Sequence, residues 1–261
     1  MWAPFFMVTI QFKEKAKLFF ASDFHLGAPN KEQSDLRELK ILNWLESILT
    51  EADGLFLVGD IFDFWFEYKT VVPKGFIRFL SMIYRFTEKG IPVYFFHGNH
   101  DLWMKDYFEK ELGVQIIQND LKVLLDGKSF LITHGDGLGP GDHTYKTLKK
   151  IFTNPIAKWL FRWLHPDIGV RIASTWSSRS RINSTKNGSE EFQGEQEWLY
   201  QYALEQERQE HHDYYIFGHR HLPIEMNVSA DSKYINLGEW VNYCTYAKYE
   251  NGELKLLTYE D

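Results

Sequence analysis

The chain has 261 residues, 44% of them hydrophobic, and a formal net charge of −7, so one α/β domain, with or without an inserted subdomain, can bury a sizeable core. Its only cysteine, Cys244, excludes an intramolecular disulfide and a cysteine-based structural zinc site, and the acidic balance argues against a nucleic-acid partner. No stretch approaches the ~20 uninterrupted apolar residues of a membrane span, and the opening MWAPFFMVTIQFKEKAK puts apolar before basic residues, the wrong order for a secretory signal, so a cytoplasmic location is expected.

In chain order, KLFFAS at 17–22 reads as a buried strand delivering a loop. Leu36, Leu39, Leu42, Leu45 and Leu49 follow at helical spacing and predict an amphipathic helix. LFLVG at 55–59 is the second strand. A helix is expected from about Pro73 to Lys89, entered at the proline and closed by Gly90. VYFFHG at 93–98 is the third strand, and shorter strands are expected around 114–117, 121–125 and 130–133. The region of about 143–208 is helical in character, broken at Pro155, Pro166 and Gly169 and by the loop NSTKNGS. Strand patterns resume at YYIFG (214–218) and run to Tyr259. Strand, polar loop, helix, strand is the grammar of a sheet flanked by helices with its site at the strand ends.

Five polar clusters close strand-like runs: Asp23-Phe-His25, Gly59-Asp60-Ile-Phe-Asp63, Gly98-Asn99-His100-Asp101, His134-Gly135-Asp136 and Gly218-His219-Arg220-His221. Each alone is ordinary turn chemistry; all five in one chain are not. Imidazole, carboxylate and amide oxygen are ligands for divalent cations of borderline to hard character, and the lack of thiolates disfavours a purely structural zinc site. On an extended segment Asp23 and His25 would share one face and could hold one ion. Of the other histidines, His97 reads as an outer support of the site, and His165, His211 and His212 as surface or helix-end residues.

These clusters resemble, position for position, the calcineurin-like metallophosphoesterases. The resemblance implies a sandwich of two mixed sheets flanked by helices, with one metal on Asp23, His25, Asp60 and His221 and another on Asp60, Asn99, His134 and His219. His100 would act on the phosphoryl or leaving oxygen, with Asp63 to orient it. Manganese is the expected ion, with iron or zinc as alternatives. A non-catalytic scaffold would be expected to lack ligands, and here every position is filled.

HGDGLGPGDHTYKTLKKIFTNP, the helical stretch after it, GHRHLPI and LGEWVNY are similar to the bacterial UDP-2,3-diacylglucosamine hydrolases of lipid A biosynthesis, over about 17–243. That similarity implies cleavage to UMP and 2,3-diacylglucosamine 1-phosphate under a helical lid of about 143–208, with Asn99, Asp142 and Tyr145 contacting substrate. Between Lys146 and Lys186 nine basic residues face the single acid Asp167. They sit among Ile151, Phe152, Ile156, Trp159, Leu160, Phe161, Trp163 and Leu164, a composition suited to lipid tails and anionic head groups at the inner membrane surface; the plainer reading makes the aromatic residues a subdomain core. Arg179, Arg181 and Lys186 are candidates for the diphosphate. One departure stands: the best-known members carry Arg where this chain has His100, which keeps alkoxide leaving groups, and so other phosphodiesters or monoesters, open.

Overall fold

The computed structural model describes residues 8–139, 143–173, 175, 177 and 191–260. Two six-stranded mixed sheets lie face to face. One has the order β1-β6-β7-β8-β10-β9 and the other β12-β11-β2-β3-β4-β5, from β1 (Val8–Gln11), β2 (Leu18–Ala21), β3 (Gly54–Leu57), β4 (Val93–Phe96), β5 (Gln115–Ile117), β6 (Leu121–Leu125), β7 (Lys128–Thr133), β8 (Tyr214–Phe217), β9 (Pro223–Asn227), β10 (Lys233–Leu237), β11 (Thr245–Glu250) and β12 (Glu253–Thr258). The expected α/β sandwich with helices on its outer faces is what forms.

The period of two decides how the layers meet. In β2, Leu18 and Phe20 point into the core between the sheets with Phe56, Phe130, Ile132 and Ile216. Phe19 and Ala21 point the other way, with Leu55, Leu57 and Phe95, towards Ile41, Trp44 and Leu45 of α1 (Lys31–Ile48) and Phe79, Ile83 and Phe86 of α2 (Ile77–Glu88). Both faces are covered, so β2, β3, β4 and β8 are buried at every residue and read as unbroken apolar runs. β2, β3 and β4 pair in parallel, as do β7 and β8, so their C-terminal ends open on one side.

Three details refine the sequence reading. In α1 the leucine series marked the helix and supplies Leu45 and Leu49 to the core, but Leu36 and Leu39 are half-exposed or more, and Arg37, Ile41, Trp44 and Ile48 complete the buried stripe. α2 starts at Ile77, since Phe76 takes a left-handed conformation and keeps Pro73 outside. A short helix, α3 (Tyr107–Leu112), escaped notice.

The region expected as one insert divides. α4 (His143–Thr153), α5 (Pro155–Arg162) and a helical segment, α6 (166–173), stand outside the sandwich, and α5 buries no residue. α7 (Trp198–Gln209) instead packs Leu199, Tyr200 and Ala203 onto Leu131, Tyr215 and Phe217 and completes the outer layer over the first sheet.

Candidate metal centre

The strand ends deliver the five clusters to the seam between the sheets, and the backbone stitches them together. Asp23 N–H donates to the Gly59 carbonyl, His25 N–H to that of Asp60 and Gly218 N–H to that of His134, each at 3.0 Å. His219 N–H donates across the seam to Asp23 Oδ2 at 3.0 Å, and His100 N–H to Asp60 Oδ1 at 2.9 Å. Asp101 accepts from the Ile61 and Gly98 N–H groups, both at 2.8 Å, tying the second and third loops; burial beside Asp60 pushes its carboxyl up to about 7.

Asp23, His25, Asp60, His219 and His221 all have positive φ, between 45° and 65°. Asp23 and His25 therefore converge through a left-handed turn and not, as the sequence reading had it, through strand alternation. Such backbone persists only where the surroundings hold it, and two glycines make the room. A Cβ on Gly98 would run into Asp60, and one on Gly218 would lie 2.8 Å from Asp23 Oδ2.

What the stitching leaves over forms the centre. Asp23 Oδ1 faces His221 Nε2 at 3.1 Å and His25 Nε2 at 3.7 Å. Asp60 Oδ2 lies 3.5 Å from His134 Nε2, 3.9 Å from His25 Nε2 and 4.0 Å from His100 Nε2. Asp23, His25, Asp60 and His221 each offer an atom within 4.8 Å of the others; so do Asp60, His134 and His219, and so do His25, Asp63 and His100. Asn99 Oδ1 lies 3.3 Å from His134 Nε2. His134 Nδ1 must donate to the Val58 carbonyl, 2.8 Å away, which leaves its Nε2 lone pair for the centre.

This donor set suits divalent cations. Asp23 Oδ1 and Asp60 Oδ2 are buried without a hydrogen-bond partner, and the Nε2 atoms of His25 and His221 lie 3.1 Å apart, aimed at common ground. Among the described residues these two carboxylates face histidines and no lysine or arginine. Burial works against their charge, yet the facing imidazoles, His221 for Asp23 and His100 for Asp60, hold both well below the usual carboxylate range. Burial likewise opposes protonation of His134, but Asp60 draws it up to about 10. The pocket favours positive charge.

His100 is aimed by backbone and by a residue the sequence reading missed. Its Nδ1 is 3.0 Å from the Asp63 carbonyl oxygen and 3.2 Å from Ser177 Oγ, while Asp63 Oδ1 stands at 3.7 Å. A second omission is Arg37, whose buried guanidinium donates to the carbonyls of His25 (2.7 Å) and Ala28. A basic residue in a leucine-spaced helix reads as solvated, so neither signal could be picked out. His212, expected near the surface, is buried, with Nδ1 2.7 Å from Ser129 Oγ. Asp142, Arg179, Arg181 and Lys186 lie outside the described residues, as does the side chain of Tyr145 on α4.

The insert meets the body through aromatic rings. Phe161 packs 4.8 Å from Phe66 and 4.9 Å from Trp103 between ring centroids, and the Trp103 indole N–H donates to the Phe152 carbonyl. Trp159 and Trp163 turn outward, 56% and 75% exposed. Lys149 pairs with the buried Asp136 at 2.6 Å, so part of the basic run is engaged by the body.

Compared with known proteins, residues 16–223 match the family description of the calcineurin-like phosphoesterases. A UDP-2,3-diacylglucosamine hydrolase from Porphyromonas gingivalis (strain ATCC BAA-308 / W83) is 36% identical over 259 residues, 95% of this chain and 99% of that one. Proteins of the same name from Histophilus somni (strain 129Pt) and Shewanella piezotolerans (strain WP3 / JCM 13877) are 28% and 25% identical, over 86% and 94% of this chain and 92% and 95% of theirs.

Proposed function

The chain belongs to the calcineurin-like phosphoesterase family and is a metal-dependent phosphoester hydrolase, and on that premise we propose that it cleaves the diphosphate of UDP-2,3-diacylglucosamine, giving UMP and 2,3-diacylglucosamine 1-phosphate. The observation that carries this is the 36% identity to a hydrolase of that name over 95% of this chain and 99% of the relative, a span that takes in the insert.

The centre is proposed to hold one cation on Asp23, His25, Asp60 and His221 and a second on Asp60, Asn99, His134 and His219, manganese before iron or zinc. Such a pair would supply Lewis acidity towards the phosphoryl group and lower the pKa of water. The chain's own residues do the remainder. Asp60 presents one oxygen among three imidazoles while its other oxygen fixes the His100 backbone. His100 turns Nε2 to the same ground, placed to meet a phosphoryl or leaving oxygen.

No helix among the described residues is long and apolar enough to cross a membrane. Ile156, Trp159, Leu160 and Trp163 are exposed, as are Lys150, Arg162 and Arg171 of the same insert, which supports a peripheral seat on an anionic inner membrane surface from the cytoplasm, where an acylated substrate would reside. His100 favours a second reading, hydrolysis of another phosphodiester or monoester with a poorer leaving group. With manganese supplied, purified protein is expected to release UMP from the acylated UDP-sugar far faster than it cleaves an aryl phosphodiester. Equal or inverse rates would overturn the lipid substrate and leave the hydrolase.

A further inference from the structure

The insert touches the metal centre at Ser177. This side chain is buried; its hydroxyl lies 2.7 Å from Asp63 Oδ1 and 3.2 Å from His100 Nδ1, and the same nitrogen is 3.0 Å from the Asp63 carbonyl. Donor and acceptor roles close in only one way. A carbonyl accepts, so Nδ1 carries a proton. A carboxylate accepts, so the Ser177 O–H donates to Asp63 and turns its lone pairs towards Nδ1–H. A hydroxyl already donating to a carboxylate is the better acceptor for it. The other ring nitrogen, Nε2, is left facing Asp60 Oδ2 at 4.0 Å, with the ring edge-on to His25 at a 4.9 Å centroid distance.

We propose that Ser177 is a positioning residue for His100: with Asp63 it holds a proton on Nδ1 and fixes the ring plane, so that seating the insert completes the hydrogen-bond frame of the histidine whose Nε2, when it too carries a proton, can give it to the phosphoryl or leaving oxygen. The proposal rests on the hydrolase assignment and not on the identity of the substrate. It also gives the insert a part in the chemistry, separate from any part in holding acyl chains. The aspartate loop and the serine come from segments 114 residues apart, so only the folded, docked insert can assemble the triangle.

The test is a double-mutant cycle on the manganese-loaded full chain, read with a soluble aryl phosphodiester and with the acylated UDP-sugar. Ser177→Ala is expected to lower kcat about 10-fold on both, with KM and bound manganese unchanged, and Ser177→Thr to restore most of it. In a His100→Ala background, adding Ser177→Ala is expected to change nothing further. Nitrogen-15 NMR of the His100 ring should show Nδ1 protonated in the parent and a mixture of tautomers in Ser177→Ala. If the two substitutions multiply, or if Ser177→Ala raises KM for the acylated sugar while sparing the aryl ester and the tautomer, Ser177 merely anchors the insert and the proposal falls. An acylated sugar that the parent ignores would instead indict the substrate, with the aryl-ester cycle still readable.

Discussion

At the seam between the sheets the main ligand-type side chains are held by several loops, and the atoms left over point at one another; across the insert, Gly169 is the one buried residue among 146–173. The ligand set of the first region is held by the sandwich itself. Backbone bonds, left-handed turns and glycine clearances hold Asp23 and Asp60 in place with buried oxygens unsatisfied. The second is fastened at a few points, Phe161, Phe152 and Lys149 among them, and leaves its outer apolar face exposed. On the proposed reading the body carries the chemistry and the insert the choice of substrate, with Ser177 as the place where they meet.

The comparison breaks if the seam tolerates loss of its shared carboxylate. Asp60→Asn should cut turnover about 10³-fold on any phosphoester, more than the loss of an outer support would cost, and bound manganese measured by elemental analysis should fall with it. Next in size is Glu197→Gln. Glu197 is a buried partner of Arg220 at 2.8 Å, and Arg220 sits between His219 and His221. Removing the negative charge from that buried pair should cost about 3 kcal/mol in denaturant unfolding and weaken metal binding; an unchanged midpoint would mean that Glu197 does not brace the loop.

Most of the seam was legible because strand and site coincide: apolar runs that end on Asp, His or Asn mark both the buried strands and their C-terminal loops. The left-handed backbone at Asp23 and His25 was not, since no residue pattern distinguishes a non-glycine turn of that kind from a strand end. Nor was the whole inward face of α1, where Leu45 and Leu49 join Ile41 and Trp44 in the core while Leu36 and Leu39 face out, and propensity cannot tell which side a sheet will cover. Ser177 was illegible for a simpler reason: a serine in a run of serines acquires meaning only from Asp63, far away in sequence. In the insert the sequence offered lipid contact or core for Trp159, Phe161 and Trp163, and the structure divides them, Phe161 inward and the two tryptophans outward.

That division sharpens the comparison. Trp159→Ser combined with Trp163→Ser should leave the unfolding midpoint and the aryl-ester rate where they were, because neither ring supports the body. Binding to vesicles of mixed neutral and anionic lipid should weaken about 10-fold, given the apolar area each ring could bury. A loss of stability instead would make these rings part of a core.

The smallest effect lies at the other end of β8, away from the candidate metal centre, where a carboxylate is held low by structural donors. Glu207 on α7 accepts from Tyr215 Oη at 2.7 Å, His211 Nδ1 at 2.9 Å and Ser232 Oγ at 3.0 Å. Burial would raise its pKa, but these donors outweigh burial and bring it down to about 2 from 4.5. A carboxyl depressed in the folded state stabilises fully above its unfolded pKa and loses that contribution as pH falls towards the folded value. Glu207→Gln should therefore cost about 1 kcal/mol at pH 7, with the gap to the parent closing between about pH 5 and pH 2. Carboxylates at both ends of the sandwich are held low, but among the described residues the buried carboxylate oxygens without a donor are those of Asp23 and Asp60 at the seam, so manganese should raise the unfolding midpoint of Glu207→Gln as much as that of the parent. A smaller manganese shift in that variant would mean that the two ends are coupled through β8 and that the seam is not finished independently of its base.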